Sequence, residues 1–395
     1  MTHKLKTDTL LGEGGMAQVY RAEDPALGRA VAVKVLRAEL CDQDDVVQRF
    51  VGEAKLAAAL DHPGILPIYA LGVDDQGRPA VSMKLSQGGS LHDRMQGDRR
   101  LPQGDVIDEL VDVVVKVCNA LGQAHDHGVV HGDIKTRNIL LGRHGVVYVA
   151  DWGNACAMGA EAPLGPDGRP TILGTPAVLS PEQAAGGPVD GRTDVFGVGA
   201  MLYTLLARRV PYGRGGPQAR IGAARVGQRK PLNTVARRTP GVLCAIVERA
   251  MALNPTDRHP TIDALRDDLV AYRRRQVDAP LRLLSDGEVL VRQGDPSDAL
   301  YIVEGGRLRV SATHDGVERA LGECAAGDVI GEIGLLADDV RTATVTAEGR
   351  VSVRVVRRDA VQDELARLSP RLQTVFSVLA RRLHAKVKVD PVIPR

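Results

Sequence analysis

The spacing of apolar and polar positions divides the 395-residue chain into two textures. Ala30-Val31-Ala32-Val33-Lys34-Val35-Leu36 is an apolar run of strand length broken by one lysine. Residues 46–60 carry Val46, Phe50, Ala57 and Leu60 at helical spacing, with Glu53 on the same stripe. A buried ammonium needs an anionic neighbour, because stranding it alone costs several kcal/mol. Glu53 supplies one, so the pattern predicts a Lys34–Glu53 ion pair. Residues 146–150 read as a further strand, and residues 241–275 as helical with an interruption at 254–260. Tyr272-Arg273-Arg274-Arg275 closes that region with basic residues that suit a helix C-terminus. After Pro280 come short alternating segments, at 289–291, 300–303, 308–310 and 351–356, parted by Gly and Asp. They predict a small β-rich domain. Two helical stretches are expected from residue 359 to 386, and loops at 161–170 and 209–217, where Gly and Pro concentrate. The boundary falls near residue 278, giving domains at 1–275 and 281–390.

Composition narrows the class. Hydrophobic residues make up 44% and charged residues 25%, which suits a globular chain long enough for more than one core. The net charge of +2 argues against a nucleic-acid partner, since polyanion binders show a basic excess. The five cysteines are scattered without paired spacing, as in a reducing compartment, and offer no zinc or disulfide framework. Residues 1–11 contain no apolar run of signal-peptide length, and no stretch of the chain reaches membrane-spanning length. The expectation is a cytoplasmic protein without a membrane partner.

The candidate chemistry begins at Leu11-Gly12-Glu13-Gly14-Gly15-Met16-Ala17-Gln18-Val19-Tyr20. Glycines at Gly12, Gly14 and Gly15 allow a turn between strands to bring backbone N–H groups close to phosphates. Further on stands His131-Gly132-Asp133-Ile134-Lys135-Thr136-Arg137-Asn138, and after the next strand Asp151-Trp152-Gly153. Phosphoryl transfer requires a carboxylate to receive the attacking hydroxyl's proton, and hard oxygen ligands for a metal that neutralises phosphate charge. Asp133 suits the first task, Asn138 and Asp151 suit Mg2+, and Lys135 is placed to neutralise the moving phosphate.

In this order, these residues resemble the protein kinase family, from about Leu11 to Tyr272. The resemblance implies a bilobal kinase fold that transfers the ATP γ-phosphate to protein serine or threonine hydroxyls. It also implies that Lys34 holds the α- and β-phosphates and Glu53 orients it, with Val19, Ala32, Met83 and Leu85 around the adenine. A lysine at position 135 marks the serine/threonine branch. Gly174-Thr175-Pro176 and Ser180-Pro181-Glu182 resemble the end of the activation segment. There Thr175 is expected to bond Asp133 and Lys135, Glu182 to pair with Arg258, and Asp194 to brace the catalytic loop. Three departures stand out: Ala17 for a third glycine, Trp152 for phenylalanine, and Gly132 for the arginine that receives an activation-loop phosphate. Thr171 is the sole Ser or Thr between Gly153 and Gly174, and is the expected autophosphorylation site. Two alternatives remain open here: a catalytically weak kinase-fold scaffold, and a small-molecule kinase, since those enzymes also use His-Gly-Asp.

The second domain carries Gly331-Glu332-Ile333-Gly334, then Arg341-Thr342. A phosphate joined to a ribose needs a carboxylate for the 2′-hydroxyl, an arginine for the phosphate, and free backbone N–H groups. Glu332, Arg341 and the turn from Gly331 offer these; the structural alternative is that Glu332 and Arg341 pair with each other, but the presence of both residues favours binding. The segment resembles the phosphate-binding cassette of cyclic-nucleotide-binding domains. It implies a β-roll, jelly-roll-like, with flanking helices, and cAMP or cGMP as regulatory ligand. Thr342 suits a guanine but does not decide between them. The fold class expected for the whole chain is α+β in two domains. The protein substrate and oligomeric state are left open.

Overall fold

Strand-period patterning at the start of the chain builds an antiparallel sheet. In the computed structural model, which describes residues 6–96, 101–163, 171–213, 215–314, 317–332, 340–359 and 361, β1 (Lys6–Glu13) and β2 (Ala17–Asp24) form a hairpin around the glycines. β3 (Arg29–Leu36) follows, then helix α1 (Asp44–Ala59), β4 (Ile68–Val73) and β5 (Pro79–Lys84). The strand order is β1-β2-β3-β5-β4, and α1 buries Val46, Phe50, Ala54 and Ala57. Its side chains share a core with Ala32, Leu36, Val81 and Met83 of the sheet.

The next stretch is mainly helical. α2 (Leu91–Gln96) and α3 (Asp105–Asp126) lead to the short strands β6 (Val129–Val130), β7 (Ile139–Leu141), β8 (Val147–Val149) and β9 (Cys156–Ala157). They are followed by α4 (Pro181–Ala185), α5 (Gly191–Ala207), α6 (Pro217–Arg225), α7 (Leu232–Val235), α8 (Gly241–Ala250) and α9 (Ile262–Asp278). α5 is apolar nearly all round and is buried from Thr193 through Tyr203, as a central helix must be. The α8–α9 interruption foreseen at 254–260 is a 3-10 turn at Pro255–Asp257.

The remaining strands are β10 (Leu281–Leu284), β11 (Val289–Val291), β12 (Ala299–His314), β13 (Val317–Ala325), β14 (Val329–Ile330) and β15 (Thr344–Arg357). They form one sheet ordered β10-β15-β12-β13, with β11 against β15 and β14 against β12. Segments 300–303 and 308–310, expected as separate strands, are one. β12 runs through Gly305 and Gly306 with register shifts rather than a turn. Gly306 has φ +90°, and a Cβ there would lie 2.5 Å from the Arg350 carbonyl oxygen, so the glycine marks a bulge against a close backbone. The chain forms two compact units, Met1–Tyr272 and Arg273–Arg395. The expected closing helices lie almost wholly outside the described residues, as do Ile333 and Gly334 and residues 164–170 of the expected loop. No described helix is long and apolar enough to cross a membrane.

Candidate functional site

Strand register assembles the first half of the site. β2 and β3 pair Val19 with Lys34, and β3 and β5 pair Ala32 with Met83. Val19, Ala32, Met83 and Leu85 join one apolar cluster together with Leu140 of β7. Leu140 was missed by the sequence reasoning; its only signal is a place two residues beyond Asn138 in an apolar run. At the hairpin, the Gly14 N–H donates to the Ala17 carbonyl (2.8 Å), while a Cβ at Gly12 or Gly15 would meet nothing within 4 Å. The glycine turn thus leaves open space beside its backbone.

Lys34 Nζ donates to Glu53 Oε1 at 2.6 Å and to Asp151 Oδ1 at 3.4 Å. Burial would depress this ammonium, but the two carboxylates outweigh it and raise it above the ordinary lysine range. Asp151 shows the reverse balance: burial opposes its charge, while Lys34, Lys135 and His131 hold the carboxyl below its usual range. Its φ of +64° is rare for a side-chain-bearing residue, a strained conformation of the kind that persists at functional sites.

The catalytic-loop residues form a second group. Asp133 is buried; its Oδ2 accepts from Lys135 Nζ (2.5 Å) and its Oδ1 from the Thr175 N–H (3.0 Å). Lys135 also donates to Thr175 Oγ1 (2.8 Å). Asn138 donates through Nδ2 to the Asp133 carbonyl (2.9 Å), a bond that does not use its amide oxygen. Behind the loop, Asp194 accepts from the His131 and Gly132 N–H groups (2.8 and 2.9 Å) and bonds His125 Nε2 (2.8 Å). Glu182 receives a bidentate pair from Arg258, both contacts 2.8 Å. His131 packs against Trp152 with the rings tilted by 54° and their centroids 4.7 Å apart. A contact the sequence did not suggest is Gln183 Nε2 donating to the Gly132 carbonyl at 2.7 Å.

Whether Mg2+ fits can be judged from the donor set. Among the described residues no group of three or more His, Cys, Asp and Glu side chains is gathered for a metal. Asp151 and Asn138 provide two hard oxygen donors, the right chemistry for a Mg2+ ion whose remaining ligands are phosphate oxygens and water.

In the second unit, Arg341 is buried, donates through Nη2 to the Ala299 carbonyl (2.6 Å), and lies 5.4 Å from the Tyr301 ring centroid. Asp298 Oδ1 is 3.6 Å away. Among the described residues, Arg341 Nε and Nη1 are buried without a hydrogen-bond partner. Beside them Gly331 has φ +87°, and a Cβ there would overlap Nη1. Two such donors beside the Gly331 turn offer the positive charge and N–H groups that a phosphate accepts from. Glu332 sits half-buried nearby, its carboxyl raised by burial despite the pull of Arg341. Thr342 is exposed.

Comparison with known proteins agrees with both halves. Residues 5–268 match the family described as protein kinase domain, and residues 281–367 the cyclic nucleotide-binding domain. Serine/threonine-protein kinase PksC of Streptomyces coelicolor is 38% identical over 264 residues, 66% of this chain and 47% of its own length. Serine/threonine-protein kinase PknB of Mycolicibacterium smegmatis is 35% identical over 293 residues, 73% of this chain and 46% of its own. PknB of Mycobacterium leprae is 32% identical over 294 residues, with the same shares. The chain thus spans less than half the length of these relatives.

Proposed function

We propose, for a chain that belongs to the protein kinase family and carries a cyclic nucleotide-binding domain after it, that it transfers the γ-phosphate of ATP to serine and threonine hydroxyls of proteins under cyclic-nucleotide control. The observation that carries the reading is the joint arrangement of Lys34, Glu53 and Asp151 with Asp133, Lys135 and Thr175. In it, Glu53 fixes the Lys34 ammonium where the α- and β-phosphates of ATP are to be held. Val19, Ala32, Met83, Leu85 and Leu140 supply an apolar slot for a flat adenine ring. Asn138 and Asp151 would hold Mg2+, which when bound neutralises phosphate charge. Asp133, anchored by the Thr175 N–H, is oriented to receive the proton of the attacking hydroxyl. Lys135, already shared between Asp133 and Thr175, brings a positive charge to the phosphate as it moves.

The regulatory half rests on Arg341 and its two orphaned donors. The shared chemistry of cAMP and cGMP, a cyclic phosphate on a ribose, suits Arg341 and Glu332. The test is phosphate transfer to a generic protein substrate with ATP and Mg2+, titrated with cAMP and separately with cGMP. Asp133→Asn is expected to reduce transfer by about 100- to 10,000-fold. No transfer by the unaltered chain, with ATP binding intact, would overturn the enzyme reading in favour of a nucleotide-sensing scaffold.

A further inference from the structure

From Val195 to Val247 the sequence contains no Asp or Glu, yet it contains nine Lys or Arg residues. At the chain's average acidic content about seven carboxylates would fall in that stretch, and the whole chain is nearly balanced at +2. The segregation therefore belongs to this part of the fold: most of α5, the following loop, α6, α7 and most of α8.

The cations are only partly answered from within. Arg229 pairs with Glu248 (2.5 Å) and donates to the Met251 carbonyl. Arg209, Arg220, Arg225 and Lys230 have no carboxylate within 4 Å among the described residues. Arg209, Arg225 and Lys230 are exposed, and Arg220 is half-buried with its Nε lacking any partner among the described residues. The same stretch is tied to the segment next to Asp133. Arg225 Nε donates to the Ala184 carbonyl at 2.7 Å, and Tyr212 Oη donates to the Leu179 carbonyl at 2.9 Å. Tyr203 Oη donates to the Lys230 carbonyl at 2.9 Å, holding the α6–α7 connection to α5. Leu179 and Ala184 continue from Thr175, which contacts both Asp133 and Lys135.

We propose that the surface bearing Arg209, Arg220, Arg225 and Lys230 docks acidic side chains of the protein substrate, so that the enzyme selects hydroxyls with Asp or Glu nearby. The proposal rests on the kinase reading above and assigns its substrate class. Guanidinium groups that lack a carboxylate partner, as those of Arg209, Arg220 and Arg225 do among the described residues, can grip an incoming one with two hydrogen bonds. Residues 175–185 adjoin the catalytic loop through Thr175 and Gln183, and Arg225 is anchored to that same segment at Ala184. A nucleic acid fits less well, because the aromatic residues of the stretch, Phe196, Tyr203 and Tyr212, are buried and give bases nothing to stack on.

The test uses the full chain and three fluorescent peptides with one threonine core, flanked by Glu, by Gln or by Lys. Binding is read by anisotropy at low and high salt, and phosphate transfer as kcat/KM. The Glu-flanked peptide is expected to bind about tenfold tighter than the Gln-flanked one at low salt, the sum of a few exposed charge pairs. High salt should erase the difference, and Arg225→Glu with Lys230→Glu should erase or invert it. Arg209→Glu, which leaves the Ala184 contact alone, serves if the double variant loses its circular dichroism. Equal binding of the Glu and Gln peptides, or a preference that survives charge reversal, overturns the proposal. So does duplex DNA, or phosphatidylglycerol vesicles, displacing the Glu peptide as well as unlabelled peptide does. Selective binding without phosphate transfer to any peptide would leave the docking surface standing and remove the kinase reading. Transfer without charge preference would do the opposite.

Discussion

Lys34 and Arg341 are both cations in apolar surroundings, and the fold satisfies them differently. Lys34 has two carboxylates, whereas Arg341 has a carbonyl, an aromatic face and a distant, exposed Asp298. A buried donor left without a partner costs about 1–3 kcal/mol, and Arg341 leaves two. Arg341→Met should therefore raise or preserve the melting temperature of the nucleotide-free chain, while abolishing any rise produced by cAMP or cGMP. Differential scanning fluorimetry reads both, and a large loss of stability without nucleotide would mean the arginine is structural. Glu332 gives a pH signature. Burial raises its folded-state value above the unfolded one, so its stabilising contribution is present below the unfolded value and lost as pH rises through the folded one. The melting midpoint of the C-terminal unit should fall across that window, and Glu332→Gln should flatten the fall. Of these residues, Lys34 and Glu53 were legible in sequence because an ion inside a strand demands a partner. The inward contacts of Arg341 were not, because Asp298 and Tyr301 reach it through β12 pairing and the turn that precedes it, which no local pattern encodes.

At the level of elements, α4 shows how much one short helix can connect. Ser180 and Gln183 form its capping box, Glu182 locks onto Arg258, and Gln183, whose Oε1 accepts from Ser180 in the cap, donates through Nε2 to the Gly132 carbonyl. With no arginine at position 132 to bind a phosphate, this donor links the catalytic loop to the segment after Thr171. Gln183→Glu keeps an acceptor for the Ser180 cap but loses the donor. It should lower kcat about tenfold, as expected for an interaction worth near 1.4 kcal/mol, with little change in KM for ATP. Gln183→Asn, too short for both contacts, should lose cap stability as well, by about 1 kcal/mol. Equal kcat for Gln183→Glu and the unaltered chain would assign the glutamine to capping alone. By the same logic Thr171→Ala should retain most activity, even if mass spectrometry finds phosphate there. The helix α1 and strand β3 were readable because one face of each is apolar. β12 was misread as two strands because Gly305-Gly306 carries the composition of a turn while its pairing with β15 continues across it.

For the whole molecule, two compact units on one chain create a thermodynamic obligation if the second controls the first. A cyclic nucleotide can shift the kinase only by binding one of its states more tightly than another. The coupling is then the same in both directions for binding. If cAMP or cGMP changes the affinity for a non-hydrolysable ATP analogue by some factor, the analogue must change the affinity for that nucleotide by the same factor. A factor of about 5–150 is the usual range for such coupling, roughly 1–3 kcal/mol. Calorimetric titrations of each ligand, with the other absent and then saturating, close this cycle without any phosphate transfer. Arg341→Met should bring the factor to one by removing nucleotide binding. Lys34→Ala, which disturbs the phosphate end of the ATP site, should reduce ATP affinity but leave cyclic-nucleotide binding to the isolated state intact. A factor of one in the unaltered chain, with both ligands bound tightly, would show two independent modules, and the control mechanism would then lie outside ligand linkage.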